Sequence, residues 1–518
     1  MQILSLLVLL AVSIDGTNSA RILGLFPYPG KSHFIMFEAL MKGLAFRGHE
    51  VIVYSHFPQK TPIPNYIDIS LVGSVPTVVD AIKLEDSFGS GFSTVFKLKE
   101  MAITNCENVL AFPPVQKLIN SKENFDLIFT EAFNTDCMLP FVYKFQAPHI
   151  ALCSHIPMPW LGDRFGNPDN PSYIPNHFLP HSDQMDLPER FKNTVYSELQ
   201  KWYYYRYMEQ PTHAIATKYF GESLPPLHEI AKNTSLLIIN TSPILNLPRP
   251  QVPGVIEVGG IHIRPAKKLP KDIEQFIIEA KHGVIYFTYG STVRSETFPE
   301  SKRKAILDAF AELPQHVIWK WEAEDLPGKP PNVMIRSWLP QFDILSHPNV
   351  RVFMTHGGLM GTMEAIYNGV PMLSMPLFGD QPNNVAACVK RGVSVVVPYQ
   401  NITKESLLTA LKTLLNDPGY KERAMKLSRA FKDTPMTPLD TAVFWSEYVI
   451  RHNGAPYLRS AAVDLPRYQY LLLDVTALLL LGTVLSLVIL VFCTCIVRHS
   501  FQKPQTESKT KGKKKKDQ

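Results

Sequence analysis

The sequence predicts an α/β protein with two facing domains, each built on a doubly wound parallel sheet, followed by one membrane-spanning helix. Strand and helix patterns alternate in residues 21–245, a proline-rich segment follows, and the alternation starts again after residue 270. The chain has 518 residues, of which 45% are hydrophobic and 19% charged. This composition is typical of globular proteins, and the length exceeds that of one ordinary domain.

The first domain, residues 21–245, opens with a βαβ pattern. We predict a strand at Ile22–Phe26, a helix from about Ser32 to Arg47 that ends at Gly48, and a second strand at Val51–Ser55. The apolar stretches FDLIFTEA and PHIALCS predict two later strands. The region 158–224 is rich in proline and aromatic residues and is predicted to line a pocket, with core packing as the alternative for its aromatic side chains Trp160, Phe165, Tyr173 and Phe178.

The linker and the second domain follow. Six prolines lie between Asn240 and Pro270, so residues 246–270 are interpreted as the link between domains. In residues 271–440 the stretches GVIYFTYGST, HVIWKWE, VMIRSWLP, RVFMTHGG and VPMLSMP predict strands separated by helices. Residues 441–469 contain an amphipathic helix and a segment that leads to the membrane.

The two ends of the chain predict a membrane protein. Residues 1–20 have the pattern of a secretory signal peptide that is cleaved after Ala20. Residues 470–497 are long and apolar enough to span a bilayer, with Asp474 as the one charge. The tail, residues 498–518, carries +6, which equals the net charge of the whole chain, so the body is neutral and nucleic-acid binding is not supported.

Positive charge beside a span marks the cytosolic side, so we expect a single-pass type I protein with its body in the lumen. Lys515 and Lys516 resemble a dilysine signal for the endoplasmic reticulum, and a basic tail on anionic lipid heads is the alternative. The sequons at Asn233, Asn240 and Asn401 fit a lumenal body. The six cysteines show no ligand spacing, so neither a disulfide framework nor a zinc site is predicted.

The motif THGGLMGTMEA, residues 355–365, lies where a predicted strand turns into a helix. Glycines there allow the backbone to approach an anion, which the N–H groups at the helix start stabilise. Nearby residues add an aromatic face at Trp338, an amide at Gln341, a carboxylate at Glu364 and an acid-amide pair at Asp380 and Gln381. This order of residues suits a ligand made of a nucleobase, a diphosphate, a ribose and a sugar.

The stretch WLPQFDILSHPNVRVFMTHGGLMGTMEAIYNGVPMLSMPLFGDQPNN resembles the signature of the UDP-glycosyltransferases, glycosyltransferase family 1, and is similar to arthropod members. The resemblance extends over nearly the whole chain and implies the GT-B type of the predicted fold. It implies that Trp338 stacks on uracil, with Gln341 beside the base or ribose and Glu364 on the ribose hydroxyls. The diphosphate would be surrounded by His356, Gly358, Gly361 and Thr362, with help from Ser291. Asp380 and Gln381 would bind the sugar hydroxyls.

Two positions depart from the family pattern. Met360 stands where many glucuronosyl members have Asn, and Gly361 where many other members have Ser. Backbone N–H groups are therefore expected to hold the phosphates. The chain contains no D-x-D motif, so the resemblance leads us to expect no metal, with the helix dipole stabilising the leaving diphosphate.

His33 matches the catalytic histidine of the family and would remove the proton of the acceptor hydroxyl. The carboxylate that orients this base falls on Glu131 in an ungapped match, with Asp136 as the reserve. Attack opposite the leaving group would invert the anomeric carbon and give a β-glycoside.

The resemblance implies transfer from a UDP-sugar, which is a co-substrate and not a permanently bound cofactor, to small lipophilic acceptors in detoxification or metabolite conjugation. Glucose is favoured, and glucuronate stays open. A membrane-anchored protein that only binds lipophilic ligands is the alternative, and it would show no UDP affinity and no effect of His33→Ala. A nucleotide-sugar epimerase or hydrolase is a third reading, which the anchor and the aromatic segment disfavour. Both a homo-oligomer and a hetero-oligomer remain open.

Overall fold

The computed structural model describes residues 19–87 and 91–502. The chain divides into two compact units, residues 1–463 and 464–518, and the first unit contains the two large sheets and one small sheet. The predicted signal peptide, apart from residues 19 and 20, and the tail from residue 503 onward, with its dilysine pattern, lie outside the described residues.

The first sheet has seven parallel strands in the order β3-β2-β1-β5-β6-β7-β8. Five of the six residues of β1 are buried, because helices cover both faces of the sheet. The strands are β1 (Arg21–Phe26), β2 (Glu50–Ser55), β3 (Tyr66–Ser70), β5 (Leu127–Glu131), β6 (His149–Cys153), β7 (Leu236–Ile239) and β8 (Val255–Glu257).

The second sheet has six parallel strands in the order β12-β11-β9-β13-β14-β15. In both sheets the first strand lies inside the sheet and later strands extend it in both directions, which is the doubly wound topology the sequence predicted. The strands are β9 (Val284–Thr288), β11 (His316–Lys320), β12 (Val333–Arg336), β13 (Val350–Thr355), β14 (Met372–Ser374) and β15 (Ser394–Val396).

A third sheet joins the two halves. Strand β4 (Ile82–Lys83) pairs in parallel with strand β10 (Val293–Arg294), so the two domains share backbone hydrogen bonds. The backbone N–H of Asp80 also donates to the carbonyl oxygen of Ser291 at 2.8 Å. These bonds hold the carboxyl ends of the two large sheets on opposite sides of one cleft.

Helices cover the sheets. Those of the first half are α1 (Lys31–Phe46), α2 (Gly91–Ala111), α3 (Pro113–Ile119), α4 (Leu139–Phe145), α5 (Gly162–Phe165), α6 (Leu187–Tyr204), α7 (Gln210–Phe220), α8 (Leu227–Ala231) and α9 (Pro243–Asn246). A π-helical turn, Tyr205–Glu209, separates α6 from α7. Those of the second half are α10 (Lys271–Glu279), α11 (Glu300–Ala311), α12 (Gln341–Leu345), α13 (Leu359–Tyr367), α14 (Gln381–Lys390), α15 (Lys404–Asn416), α16 (Pro418–Lys432) and α17 (Pro438–Arg451).

The predicted linker needs correction. Residues 246–270 include strand β8, whose residues Val255–Glu257 pair with β7 in the first sheet. The prolines that indicated a linker flank this short apolar strand on both sides, and a three-residue strand at a sheet edge gives too little periodicity to detect.

Helix α17 returns to the first domain. Its residues Ala442, Val443 and Val449 are buried in the same core as helix α1. The two helices come so close at Gly43 that an added Cβ would lie 2.8 Å from Cδ1 of Leu439. The core of the first domain therefore includes a helix that follows the second domain in the sequence.

In the second unit, Arg467–Tyr470 form a short helix, α18, and Leu473–Phe501 form a helix of 29 residues, α19. Within the described residues, α19 is the one helix that is long and apolar enough to cross a membrane, with a mean hydropathy of 2.8 over its most apolar window. Its bounds agree with the predicted span to within a few residues.

Two features of the first unit correct the sequence analysis. Cys106 and Cys137 form a disulfide with their Cα atoms 5.7 Å apart, although no disulfide framework was predicted. The two cysteines are 31 residues apart and meet only through tertiary packing. Of the three sequons, Asn233 and Asn401 are exposed, whereas Asn240 is fully buried and its side chain accepts a hydrogen bond from the backbone N–H of Gly260.

Candidate active site

A cavity of about 730 Å³ lies between the carboxyl ends of the two large sheets. Both domains contribute to its walls, as expected for doubly wound sheets that bind ligands at this edge. It collects most of the residues that the sequence singled out, namely His33, Ser291, Trp338, Gln341, His356, Gly358, Gly361, Glu364, Asp380 and Gln381.

One end of the cavity combines an exposed indole with a buried carboxyl group. Trp338 follows β12 and is 62% exposed, so one ring face is available for stacking. Gln341, the first residue of α12, donates from Nε2 to Oε2 of Glu364 at 2.7 Å. Burial raises the pKa of Glu364 to about 7. The amide and the carboxyl group are thus held together beside the indole.

The turn between β13 and α13 is built around His356. Gly357 has φ +82° and Gly290, on the facing loop, has φ +79°, both in the left-handed region that favours glycine. A Cβ on Gly290 would lie 2.6 Å from Cε1 of His356, and one on Gly358 would lie 2.5 Å from its Nε2. The glycines therefore leave room for the imidazole, whose pKa burial lowers to about 4, so the ring is neutral.

The start of helix α13 faces the cavity with Leu359, Met360 and Gly361. Backbone N–H groups in a first helical turn have no partner within the helix and can stabilise an anion. Thr362 lies one turn further in: it is buried, its hydroxyl donates to the carbonyl of Gly358 at 2.9 Å, and it is not part of the cavity wall. Thr362 therefore lies beside Gly358 and Gly361, but behind the cavity wall that they form.

The structure shows what Gly361 and Met360, the two departures from the family pattern, contact. A Cβ at Gly361 would lie 3.1 Å from Nε2 of Gln341, so glycine leaves space for the bond between Gln341 and Glu364. The sulfur of Met360 lies 3.1 Å from Nδ2 of Asn240, in contact with the first domain. Both residues thus serve packing around the turn.

Asp380 and Gln381 lie at the start of α14. The Gln381 side-chain oxygen accepts from the backbone N–H groups of Leu377 and Phe378 at 2.8 and 3.1 Å, which fixes the preceding loop. Oδ2 of Asp380 accepts from Nδ2 of Asn384 at 2.8 Å. The acid and the amide are therefore held in fixed positions on the cavity wall.

His33 lies in the first turn of helix α1, on the opposite wall. Its Nδ1 is 2.5 Å from Oε1 of Glu131, the last residue of β5. The Glu131 side chain is only 4% exposed, whereas that of His33 is 18% exposed. A buried carboxylate on one ring nitrogen fixes the tautomer and leaves the other nitrogen for a ligand.

Asp136 has other partners. It forms a buried ion pair with Arg164, with Oδ1 2.6 Å from Nη1, and accepts from the Tyr204 hydroxyl at 2.6 Å. Of the aromatic side chains expected to line a pocket, Phe178 lines the cavity, whereas Trp160 is fully buried and stacks on Tyr204. Core packing, the alternative reading, therefore applies to Trp160.

Comparison with known proteins identifies the family. The family model described as "UDP-glucoronosyl and UDP-glucosyl transferase" matches residues 70–509. The chain belongs to this family. It is 47% identical over 471 residues to UDP-glycosyltransferase UGT5 of Dactylopius coccus, with 89% of each chain covered. It is 40% identical over 517 residues to UDP-glucosyltransferase 2 of the same organism, with 98% of this chain and 99% of the relative covered. It is also 35% identical to UDP-glucuronosyltransferase 2A3 of Cavia porcellus, with 91% of this chain and 92% of the relative covered.

Two solved structures share the GT-B fold of this UDP-glycosyltransferase. The calicheamicin glycosyltransferase CalG4 superposes with a TM-score of 0.55 at 18% identity and covers 84% of this chain and 100% of its own. The glycosyltransferase of kitacinnamycin superposes with a TM-score of 0.53 at 17% identity, with 84% and 98% covered. The predicted fold class is thus confirmed.

Three further histidines that line the cavity of this UDP-glycosyltransferase, His155, His177 and His262, were not singled out by the sequence analysis. His155 follows β6, and His177 lies in the loop before α6; both are buried and both line the cavity. The ring centroids of His33 and His155 are 5.4 Å apart. A histidine within two residues of the carboxyl end of a predicted strand was the available signal for His155, whereas His177 has no sequence signal because its loop lacks strand or helix periodicity.

Proposed function

We propose that this UDP-glycosyltransferase transfers glucose from UDP-glucose to a hydroxyl group of small lipophilic acceptors, with inversion at the anomeric carbon. The observation that carries the proposal is the position of the His33–Glu131 pair across one cavity from Trp338, Glu364 and the start of helix α13. A base on one wall and a nucleotide site on the other are what a direct displacement between two substrates needs.

The second domain would hold UDP. Uracil would stack on Trp338, and the ribose hydroxyls would donate to Glu364, which Gln341 orients. The diphosphate would lie at the free N–H groups of the first turn of α13, beside His356, Gly358 and Ser291. The same N–H groups would stabilise the charge that develops on UDP as it leaves.

Asp380 and Gln381 would hold the sugar hydroxyls. A carboxylate and an amide at this place accept hydrogen bonds from the hydroxyls of glucose and of glucuronate alike. Glucose is favoured by the arthropod-like features of the sequence. The similarity to UDP-glucosyltransferase 2 of Dactylopius coccus along 98% of the chain supports the same choice.

His33 would act as the general base. With Nδ1 hydrogen bonded to Glu131, Nε2 is the nitrogen that accepts the acceptor proton while the oxygen attacks C1 from the face opposite UDP. Glu131 would stabilise the imidazolium that forms. We assign this positioning role to Glu131, because Asp136 is neutralised by Arg164 and hydrogen bonded to Tyr204.

The acceptor would bind between the base and the first domain. The cavity wall there is formed mainly by apolar side chains, which include Ile35, Leu98, Met101, Phe133, Met158 and Phe178. Such a wall favours lipophilic hydroxylated compounds and agrees with a role in their conjugation. We further propose that helix α19 anchors the enzyme in the endoplasmic reticulum membrane, with its body in the lumen.

One assay tests this function. Microsomes containing the wild-type protein or His33→Ala are incubated with UDP-glucose or UDP-glucuronate and a panel of phenols and alcohols. We expect β-glucosides from the wild-type protein, and products reduced about a thousandfold in the variant. Absence of UDP release with every donor, together with absence of UDP binding, would contradict transfer and support the alternative of a ligand-binding protein.

A further inference from the structure

His155 and His177 stand beside the base on the wall of the first domain. Both rings are buried, with residue exposures of 5% and 4%. The ring centroids of His155 and His177 are 5.0 Å apart, and that of His155 is 5.4 Å from His33. The three imidazoles therefore form a row along the cavity, and the proposed reaction uses only the first of them.

The hydrogen bonds of this row define its tautomers. Nδ1 of His155 lies 2.7 Å from the carbonyl oxygen of Ile156, and Nδ1 of His177 lies 2.8 Å from the same oxygen. A carbonyl oxygen can only accept, so each Nδ1 carries a proton and donates it. Burial lowers the pKa of both imidazoles, so both rings are neutral and each Nε2 carries a lone pair.

The Nε2 lone pairs of His155 and His177 accept no strong hydrogen bond from the described part of the protein. Among the described residues, no side chain or backbone group donates to Nε2 of His177 at hydrogen-bond distance. Nε2 of His155 has the sulfur of Cys153 as a neighbour at 3.9 Å, while that sulfur lies 3.2 Å from the carbonyl oxygen of His155, to which the thiol donates. Buried acceptors on a cavity wall need donors, and a ligand can supply them.

The row leads toward the sugar end of the nucleotide site. The negative charge of Asp380, in the second domain, acts on the imidazole of His177 and opposes the fall in its pKa. Nδ2 of Asn383 lies 3.5 Å from the carbonyl oxygen of Asn176, the residue before His177. His177 therefore faces the acid-amide loop across the domain interface, while His155 lies between it and the base.

We infer that Nε2 of His155 and Nε2 of His177 accept hydrogen bonds from hydroxyl groups of the donor hexose and select a neutral hexose against a hexuronate. This inference rests on the proposed function and specifies its sugar site. Neutral hydroxyls can donate to both nitrogens. A carboxylate has no proton to donate and would face the two lone pairs, so its desolvation would be uncompensated.

The test combines histidine variants with donors that lack one hydroxyl. The full-length protein in detergent is prepared as wild type, His155→Phe, His177→Phe and His177→Gln. Equilibrium dissociation constants are measured for UDP, UDP-glucose and UDP-glucose analogues with a single hydroxyl removed. A residue and a hydroxyl that bond each other give non-additive losses, because removing either one already removes the bond.

We expect each Phe variant to weaken UDP-glucose binding about tenfold, the effect of one buried hydrogen bond, and to leave UDP binding unchanged, since UDP lacks the hexose. For each variant, removal of one particular hydroxyl should cause no further loss. His177→Gln should recover part of the affinity, because its side-chain oxygen can accept. The preference for UDP-glucose over UDP-glucuronate should fall about tenfold in both Phe variants.

His56→Phe is the matched control. His56 is buried in the same domain and its Nε2 donates to the carbonyl oxygen of Pro27 at 3.0 Å, but it does not line the cavity. It should change neither the sugar preference nor the hydroxyl dependence.

Additive losses for every hydroxyl, or equal weakening of UDP and UDP-glucose, would overturn the inference. A wild-type preference for UDP-glucuronate would overturn it together with the choice of glucose as the donor sugar, while transfer from a UDP-sugar would stand. The failure of the proposed function is a different result, since it is the absence of turnover with every donor, and the binding measurements do not depend on turnover.

Discussion

The two walls of the cavity are built in different ways. The wall of the second domain comes from short stretches of consecutive residues, in which a strand, a glycine turn and a helix start follow one another within residues 350–367. The wall of the first domain is assembled from distant positions, since His33 and Glu131 are 98 residues apart. The residues of the first kind of wall lie near one another in the sequence, and its proposed diphosphate site is made of backbone N–H groups. The second kind depends on side chains whose partners must be brought together by the fold.

The largest expected effect concerns the wall of the first domain, which contributes His33. His33→Ala removes the proposed base, so kcat should fall about a thousandfold with an alcohol acceptor. The dissociation constant for UDP should not change, because UDP is assigned to the other wall. The two numbers come from steady-state assays and titration calorimetry, and a loss of kcat below tenfold would contradict the division between the walls.

The partner of the base gives the next largest effect. Glu131→Gln keeps the size of the side chain but cannot stabilise an imidazolium, so kcat should fall about a hundredfold and its pH profile should shift.

Asp136→Asn is the matched comparison for Glu131→Gln. It leaves the buried Arg164 without its carboxylate, so the free energy of unfolding should fall by about 3 kcal/mol. The pH profile of the remaining activity should stay as in the wild type. A shifted profile in Asp136→Asn and an unchanged one in Glu131→Gln would reverse the assignment.

On the wall of the second domain, a single added methyl group should weaken UDP binding. Gly290→Ala would bring a Cβ to 2.6 Å from Cε1 of His356, so the imidazole must move and UDP binding should weaken about tenfold. Gly221→Ala is the control, because Gly221 also has a positive φ, +90°, but an added Cβ meets nothing within 4 Å. The control should lose about 1–3 kcal/mol of stability and keep its UDP affinity.

The smallest effect is a pH dependence of UDP binding. The pKa of Glu364 is raised to about 7 by burial, so the group is protonated below that pH and ionised above it. Ribose hydroxyls donate best to the ionised form, so UDP affinity should rise as pH increases through 7 and be about threefold weaker at pH 6 than at pH 8. Glu364→Gln should lose this dependence, and any titration of UDP itself cancels in the comparison.

The same contrast explains what could be predicted from the sequence. The strands and helices around residues 355–381 follow from local patterns. Trp338, His356, Glu364 and Asp380 could be singled out because their spacing is local, and the structure places all four on one cavity wall. His33 required the resemblance to the family, since a histidine at a helix start has no distinguishing pattern of its own.

Where contacts depend on tertiary packing, local sequence patterns either did not predict the contact or predicted the wrong structure. The disulfide between Cys106 and Cys137, the choice between Glu131 and Asp136, and the strand Val255–Glu257 inside the expected linker all belong to this class. Thr362 has the right spacing for a cavity residue, but its hydroxyl bonds within its own helix, a common alternative for threonine in helices. Backbone turns are encoded locally, whereas side-chain clusters need the whole fold.

The central claim is that His33 removes the acceptor proton while the opposite wall holds UDP. The direct measurement compares wild type and His33→Ala with two acceptors at neutral pH, a lipophilic primary alcohol and a nitrophenol that is already largely ionised. If His33 is the base, the loss should be about a thousandfold for the alcohol and about tenfold or less for the nitrophenol. An equal loss for both acceptors would contradict the claim.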